Sequence, residues 1–365
     1  MKPADHFHGS DLEKIEQYYH IKKEEIISFS ANVNPLGISN KLRETLADQI
    51  QVITTYPDRE YLKLRQAIAT YVGSDVQNIM TGSGSTELIS LFIQIQQPKT
   101  ALLLGPTYSE YEREILISGG KTHYFHLPEE QEFILDITKL EKALTADTDL
   151  LILCNPNNPT SSVIERPVMR QILDLCKQLG IYVMVDETYV EFSDQIELVT
   201  AVPLAEYYNN LIILRGTSKF FAAPGLRLGY AVCGNEDLLR EMKKRQNPWT
   251  INSLAEVAGQ IMFSDHDYIK ATKELIHSER NRIIKRLKQC QNIKVYPSHS
   301  NFVLVKILSP LITSKMLFEA AIKEGLMIRD CSTFPFLNHQ YFRFCFMLPE
   351  QNDRLLDVLL TKLNE

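Results

Sequence analysis

The chain has 365 residues, 44% of them hydrophobic and 23% charged, with a formal net charge of -6 at pH 7. That length is too great for one small core and short for three, so one large domain with a smaller companion is expected, and the longest apolar runs, such as Leu150–Cys154, are far below bilayer-spanning length. The negative charge argues against a nucleic-acid surface; the polar start Met1, Lys2, Pro3, Ala4 lacks a signal-peptide pattern, which makes the cytoplasm the expected compartment.

In chain order, residues 1–39 contain Pro35 and Gly37, which break regular structure, and read as an arm that packs on the second domain or on another subunit. From about residue 40 to 235, helical patterns alternate with β-rich runs at 101–104, 122–126, 150–154, 181–185, 211–214 and 229–233. This alternation predicts an α/β domain with a mainly parallel sheet, and runs apolar on both faces suit a sheet covered by helices on each side. Residues 252–290 read as helix upon helix, with Ile261, Ile269, Ile276 and Ile283 among the periodic apolar positions. A smaller α+β unit follows: strand 302–306, helix 314–324, strand 341–346 and helix 353–363. The expected division is an arm at 1–39 that belongs with the small domain, a large domain at 40–262 and a C-terminal small domain at 263–365. Basic clusters at 240–245 and 280–288 alternate with apolar residues and read as solvated helix faces. Six cysteines without a C-x-x-C pair predict free thiols and no metal site.

The residues that carry chemistry cluster after strands. Thr217-Ser218-Lys219 follows the 211–214 run, with Pro224-Gly225-Leu226-Arg227 close behind, so an amine and a guanidinium share one crevice. The residues around Lys219 are small, aromatic or apolar, and a desolvated lysine is a competent Schiff-base nucleophile. Gly82-Ser83-Gly84-Ser85-Thr86 opens a helix, where exposed amides and the positive end of the dipole make a phosphate cradle. Asp186 ends the 181–185 strand at the edge where ligands of open α/β sheets bind, and Asn155-Pro156-Asn157-Asn158-Pro159-Thr160 brings an amide there, with Asn158 free to donate.

These motifs, N-P-N-N-P-T, D-E-x-Y and S-K-x-x-x-x-P-G-x-R-x-G, resemble in order and spacing the class I/II aminotransferases, over nearly the whole chain. The resemblance implies the aspartate-aminotransferase-like fold (fold type I) and pyridoxal 5'-phosphate as cofactor. Lys219 would carry the cofactor covalently and Asp186 would pair with its ring nitrogen. Asn158 and Tyr189 would hold the 3-hydroxyl, and Tyr108 would stack on the ring. Arg227, Ser218 and the amides of Ser85 and Thr86 would hold the phosphate. Tyr56, in Tyr56-Pro57-Asp58, would reach that phosphate from a second subunit, which implies a homodimer with composite sites. Many relatives have Ser or Thr three positions before the lysine, where this chain has Gly216.

Within the family, two groups are similar. Tyr56-Pro57-Asp58, Asn158 and Asp186-Glu187-Thr188-Tyr189 resemble histidinol-phosphate aminotransferases. His8-Gly9, the 29–37 segment with Asn32, 248–252, and the segments with Arg329 and Arg343 look like threonine-phosphate decarboxylases of cobalamin biosynthesis. Tyr189 stands where the decarboxylases have phenylalanine. His8, Gly9, Asn32, Asn158, Arg329 and Arg343 would bind substrate. Together they offer more anion-binding capacity than one phosphate needs, which favours threonine phosphate and a decarboxylase.

Overall fold

The structure, a computed structural model, describes residues 11–365. Its strands in chain order are β1 (Ile27–Ser28), β2 (Ile79–Gly82), β3 (Thr100–Gly105), β4 (Lys121–His126), β5 (Leu150–Cys154), β6 (Tyr182–Asp186), β7 (Leu211–Gly216) and β8 (Gly229–Val232), then β9 (Ile293–Val295), β10 (Phe302–Ile307), β11 (Leu326–Met327), β12 (Arg329–Asp330) and β13 (Tyr341–Cys345). Seven of them form one sheet in the order β2-β8-β7-β6-β5-β3-β4. Pairing is parallel from β4 through β7, and β8 runs antiparallel between β7 and β2. All five residues of β5 are buried, as the doubly covered sheet predicted from its apolar run requires. The apolar side chains of this sheet divide between two packed clusters, Leu151, Leu153, Val183 and Val185 on one and Leu150, Ile152 and Met184 on the other, which is the strand alternation made visible.

The expected run of helices is present as Ser253–Met262 and His266–Leu287, the first capped by Asn252, whose side chain accepts from the Ala255 amide. A four-stranded antiparallel sheet, β12-β13-β10-β9, follows, covered by the helices Ser314–Lys323 and Pro349–Leu363. The arm joins this part of the chain by a parallel pairing of β1 with β11. It also reaches the segment after β7: Asn34 Nδ2 donates to the Phe220 carbonyl at 2.8 Å and to Thr272 Oγ1 at 2.8 Å, its Oδ1 accepts from the Leu36 amide at 3.1 Å, and its backbone amide donates to the Lys219 carbonyl at 3.0 Å. One basic cluster departs from expectation. Arg280 is buried, because its guanidinium donates to Asp194 Oδ2 and to the carbonyls of Phe192 and Ser300, which compensate it away from water.

Candidate active site

Four parallel strands deliver one pocket at their carboxyl edge. β3 runs out towards Thr107 and Tyr108, β5 into the Asn158 loop, β6 ends on Asp186, and β7 leads to Ser218 and Lys219. A cavity of about 290 Å³ lies between these residues and an opposite wall made by Ser30, Ala31 and Asn32 of the arm with Arg329, Thr333 and Arg343.

Lys219 points its Nζ into this space and donates to the Ala31 carbonyl at 2.8 Å. Burial, assisted by the Arg343 and Arg227 cations, pulls its amine down to about 8, so an appreciable fraction is the uncharged nucleophile at neutral pH. Asp186 is buried and almost saturated. Its Oδ1 accepts from the Thr188 amide at 2.9 Å and from Thr188 Oγ1 at 2.5 Å, while Oδ2 accepts from the Tyr111 hydroxyl at 2.6 Å. A carboxylate has about four acceptor positions, so one remains on Oδ2, suited to a charged N–H in the pocket.

At the far end of the pocket the helix Ser85–Gln96 begins after Gly84, whose φ of 83 is in the left-handed region. A Cβ on Gly84 would lie 2.5 Å from Arg227 Nη2, so glycine leaves room for the guanidinium beside the start of this helix. Ser85, Thr86, Ser218 and Arg227 line this end and make an anion cradle. A Cβ at Gly216 would be 3.8 Å from both Ser85 Oγ and Ser218 Oγ, so those two hydroxyls flank the space that a serine or threonine there would enter.

Asn158 is oriented rather than free: its Oδ1 accepts from Arg343 Nη1, which leaves the NH2 group as the donor. Arg343 Nη2 donates to the Ser30 carbonyl at 2.8 Å and the guanidinium lies 5.0 Å over the Phe302 ring. Tyr189 meets the same ring edge-on at 5.0 Å, and its hydroxyl accepts from Asn32 Nδ2 at 3.2 Å, so its own proton can be donated elsewhere. Tyr108 lines the cavity and stands at 85° to Tyr111. Arg329 donates to Thr333 Oγ1 at 3.2 Å, and its Cα is the register partner of Arg343 across β12 and β13. Ser30 Oγ, Asn32 Oδ1 and Arg343 Nε are buried with no hydrogen-bond partner among the described residues.

The structure therefore gathers twelve of the expected residues in one cavity: Asn32, Ser85, Thr86, Tyr108, Asn158 and Asp186 with Tyr189, Ser218, Lys219, Arg227, Arg329 and Arg343. Tyr56 does not line this cavity; it is 78% exposed, and its ring is tilted at 40° to that of Trp249 with centroids 4.8 Å apart. His8 and Gly9 lie outside the described residues. Ser30, Tyr111, Thr188 and Thr333 were not anticipated. Thr188 had a signal, since a hydroxyl two residues after an aspartate commonly closes a turn on it, and Tyr111 had one in its place one helical turn after Tyr108.

A family model described as aminotransferase class I and II matches residues 24–359. The chain belongs to the class I and II aminotransferases. Within that family it is 33% identical to a threonine-phosphate decarboxylase of Salmonella typhimurium, over 96% of this chain and 95% of that protein. It is 32% identical to histidinol-phosphate aminotransferase 2 of Archaeoglobus fulgidus, over 92% of each. The crystal structure of a histidinol-phosphate aminotransferase from Clostridium acetobutylicum superposes with a TM-score of 0.86 at 30% identity, covering 92% of this chain and 98% of that one. The fold is thus the aspartate-aminotransferase-like fold type I, with the mixed, mostly parallel central sheet described above. Pyridoxal phosphate is the cofactor of this family of enzymes, and the pocket of this aminotransferase-family chain fits it: an amine of lowered pKa, one open acceptor position on Asp186 and an anion cradle lie along a single cavity. Among the described residues no helix is long and apolar enough to cross a membrane.

Proposed function

We propose that the enzyme decarboxylates L-threonine O-3-phosphate to (R)-1-aminopropan-2-yl phosphate and carbon dioxide, a step of cobalamin biosynthesis. The observation that carries this reading is the pairing of Arg329 opposite Arg343 on the wall facing Lys219. A substrate with both a phosphate and a carboxylate offers an anion to each of these two guanidiniums, and Ser30 and Asn32 line the same cavity. Similarity to decarboxylases acting on this substrate supports the assignment.

Pyridoxal phosphate, when bound, supplies a ring that takes up the electron pair left as a bond to the substrate's α-carbon breaks. The protein decides which bond that is. Asp186 would pair with the ring nitrogen, Asn158 and Tyr189 would hold the 3-hydroxyl, Tyr108 would stack on the ring, and Arg227, Ser218, Ser85 and Thr86 would anchor the phosphate. Arg329, Arg343 and Asn32, with His8 and Gly9, would grip the substrate's other groups and so select the carboxylate as the group that leaves. Lys219 Nζ would be the acid that supplies a proton to the former α-carbon. No keto acid is needed to complete the cycle.

The same reading makes the enzyme a cytoplasmic homodimer, free of membrane and nucleic acid, divided at 1–39, 40–262 and 263–365. The exposed Tyr56, which does not line its own pocket, would serve the partner's. Supplying the pure holoenzyme with threonine phosphate, serine phosphate, or histidinol phosphate plus 2-oxoglutarate, and following carbon dioxide and keto product, tests the proposal. The Tyr189 hydroxyl favours a second reading, histidinol-phosphate transamination. Turnover that requires 2-oxoglutarate and releases no carbon dioxide would establish that alternative.

A further inference from the structure

The sheet that carries Arg343 and Arg329 does not touch the cofactor strands through backbone pairing, so something else must set its position. Besides the Ser161–Ser300 hydroxyl contact at 2.6 Å and the bond of Arg343 to Asn158, one carboxylate bridges the two parts. Glu129, three residues beyond the end of β4, accepts from Lys306 Nζ at 2.7 Å and Tyr341 Oη at 2.6 Å through Oε2, and from Tyr296 Oη at 2.7 Å through Oε1; Lys294 Nζ is 3.8 Å away. Lys294, Lys306 and Tyr341 are register partners on β9, β10 and β13, so a single side chain grips one row across three adjacent strands. Two lysines directly opposite each other would repel, and the carboxylate between them cancels that repulsion. Two residues further along β13, on the same face, is Arg343, and opposite it Arg329.

We infer that Glu129 is a positioning residue that holds the arginine-bearing sheet at its working distance from Lys219. The other end of the strut is stiff. The Leu127 amide bonds the Gly105 carbonyl at 2.8 Å, just before Tyr108, and Phe133 packs edge-on to Tyr296 at 5.0 Å. Burial, which would raise the Glu129 carboxyl, is outweighed by the Lys306, Tyr341 and Tyr296 donors, which hold it down at about 2; the strut is charged at every pH at which the enzyme works. Its consequence for catalysis rests on the proposed role of the two arginines in holding substrate, not on which phosphorylated amine is the substrate.

The test is Glu129→Gln in the holoenzyme, with Tyr341→Phe as a milder variant that keeps the charge. Inorganic phosphate affinity, by titration calorimetry, should fall about 10- to 100-fold in Glu129→Gln, the scale expected for misplacing a binding group by an ångström, and less in Tyr341→Phe. Cofactor affinity and the visible absorbance band should be unchanged in both. Phosphate affinity within about twofold of wild type in folded Glu129→Gln overturns the inference, as does a parallel loss of cofactor, which would mark a general structural defect. Wild-type protein that binds phosphate but does not turn over threonine phosphate overturns the decarboxylase reading alone, because the phosphate titration still decides the strut.

Discussion

The two walls of the pocket are built on different principles. On the cofactor side, polar groups are already bonded to one another: Asp186 takes three protein donors, and beneath it the buried Glu187 accepts from Arg215 at 2.7 Å and from Thr200. On the opposite wall, Ser30 Oγ, Asn32 Oδ1 and Arg343 Nε are buried and have no hydrogen-bond partner among the described residues, beside two arginines brought side by side. Buried polar atoms without partners are costly, so a site that keeps them must recover the cost when a ligand arrives. The first wall is thus internally bonded, whereas on the proposed function the second would gain partners from its ligand. Variants on the two sides should therefore fail differently.

The largest effect is expected at the residue that serves both walls. Lys219→Ala should lower turnover by about 10⁴-fold or more, at or beyond the upper end for a positioned proton-transfer group, because on the proposed mechanism it removes the nucleophile as well as the acid. The variant should still bind pyridoxal phosphate, but borohydride should no longer fix it to the protein. On the substrate wall, Arg329→Ala removes one charge-assisted contact, worth about 1.5–3 kcal/mol or roughly 10- to 150-fold in kcat/KM. Its absorbance band and cofactor affinity should match wild type. Loss of cofactor from Arg329→Ala would break the distinction between the walls.

Much of the first wall could be read from the chain alone, because it is written in contiguous motifs at the ends of apolar runs. Asn158, Asp186, Lys219 and Arg227 each follow a strand whose pattern predicts it. The second wall was only partly readable. Arg329 and Arg343 were singled out, but nothing in their spacing shows that they are register partners, since β12 is two residues long and leaves no periodic signal. Tyr111 meets Asp186 across 75 residues, and Glu129 reaches Tyr341 across 212. Contacts of that kind arise from how elements pack, and helix or strand periodicity carries no trace of them. The burial of Arg280 was missed for the same reason: its partners Asp194 and the Phe192 and Ser300 carbonyls come from other elements.

The pH dependence of cofactor capture sharpens the reading of Lys219. Its amine, held at about 8 by burial and by Arg343 and Arg227, attacks only when unprotonated. Between pH 6 and pH 8 the unprotonated fraction rises about 50-fold for a group of that pKa, and the rate at which apoprotein takes up pyridoxal phosphate covalently should rise with it, levelling above pH 9. A midpoint at the ordinary lysine value would mean that the wall facing Lys219 does not exclude water. Lys219 in Arg343→Ala should titrate higher than in wild type, because a neighbouring cation has gone.

The smallest effect is expected at Tyr111, and it is the most discriminating because its hydroxyl acts on the first wall through Asp186. Tyr111→Phe keeps the ring and its edge-on contact with Tyr108 at 5.5 Å but removes the donor to Asp186 Oδ2. Thr188 still supplies two hydrogen bonds to Oδ1, so the carboxylate stays in place. With one of its three donors gone, the carboxylate is held less firmly in the position from which it would pair with the cofactor's ring nitrogen. Turnover should fall by roughly 3- to 10-fold, at the low end for a hydrogen bond to a charged group, while KM for the phosphorylated substrate stays near wild type. The absorbance of the bound cofactor should shift, or its pH midpoint move, in step with the loss. A raised KM with an unchanged spectrum would show instead that Tyr111 matters to the substrate wall, and that the two walls are less separate than their bonding suggests.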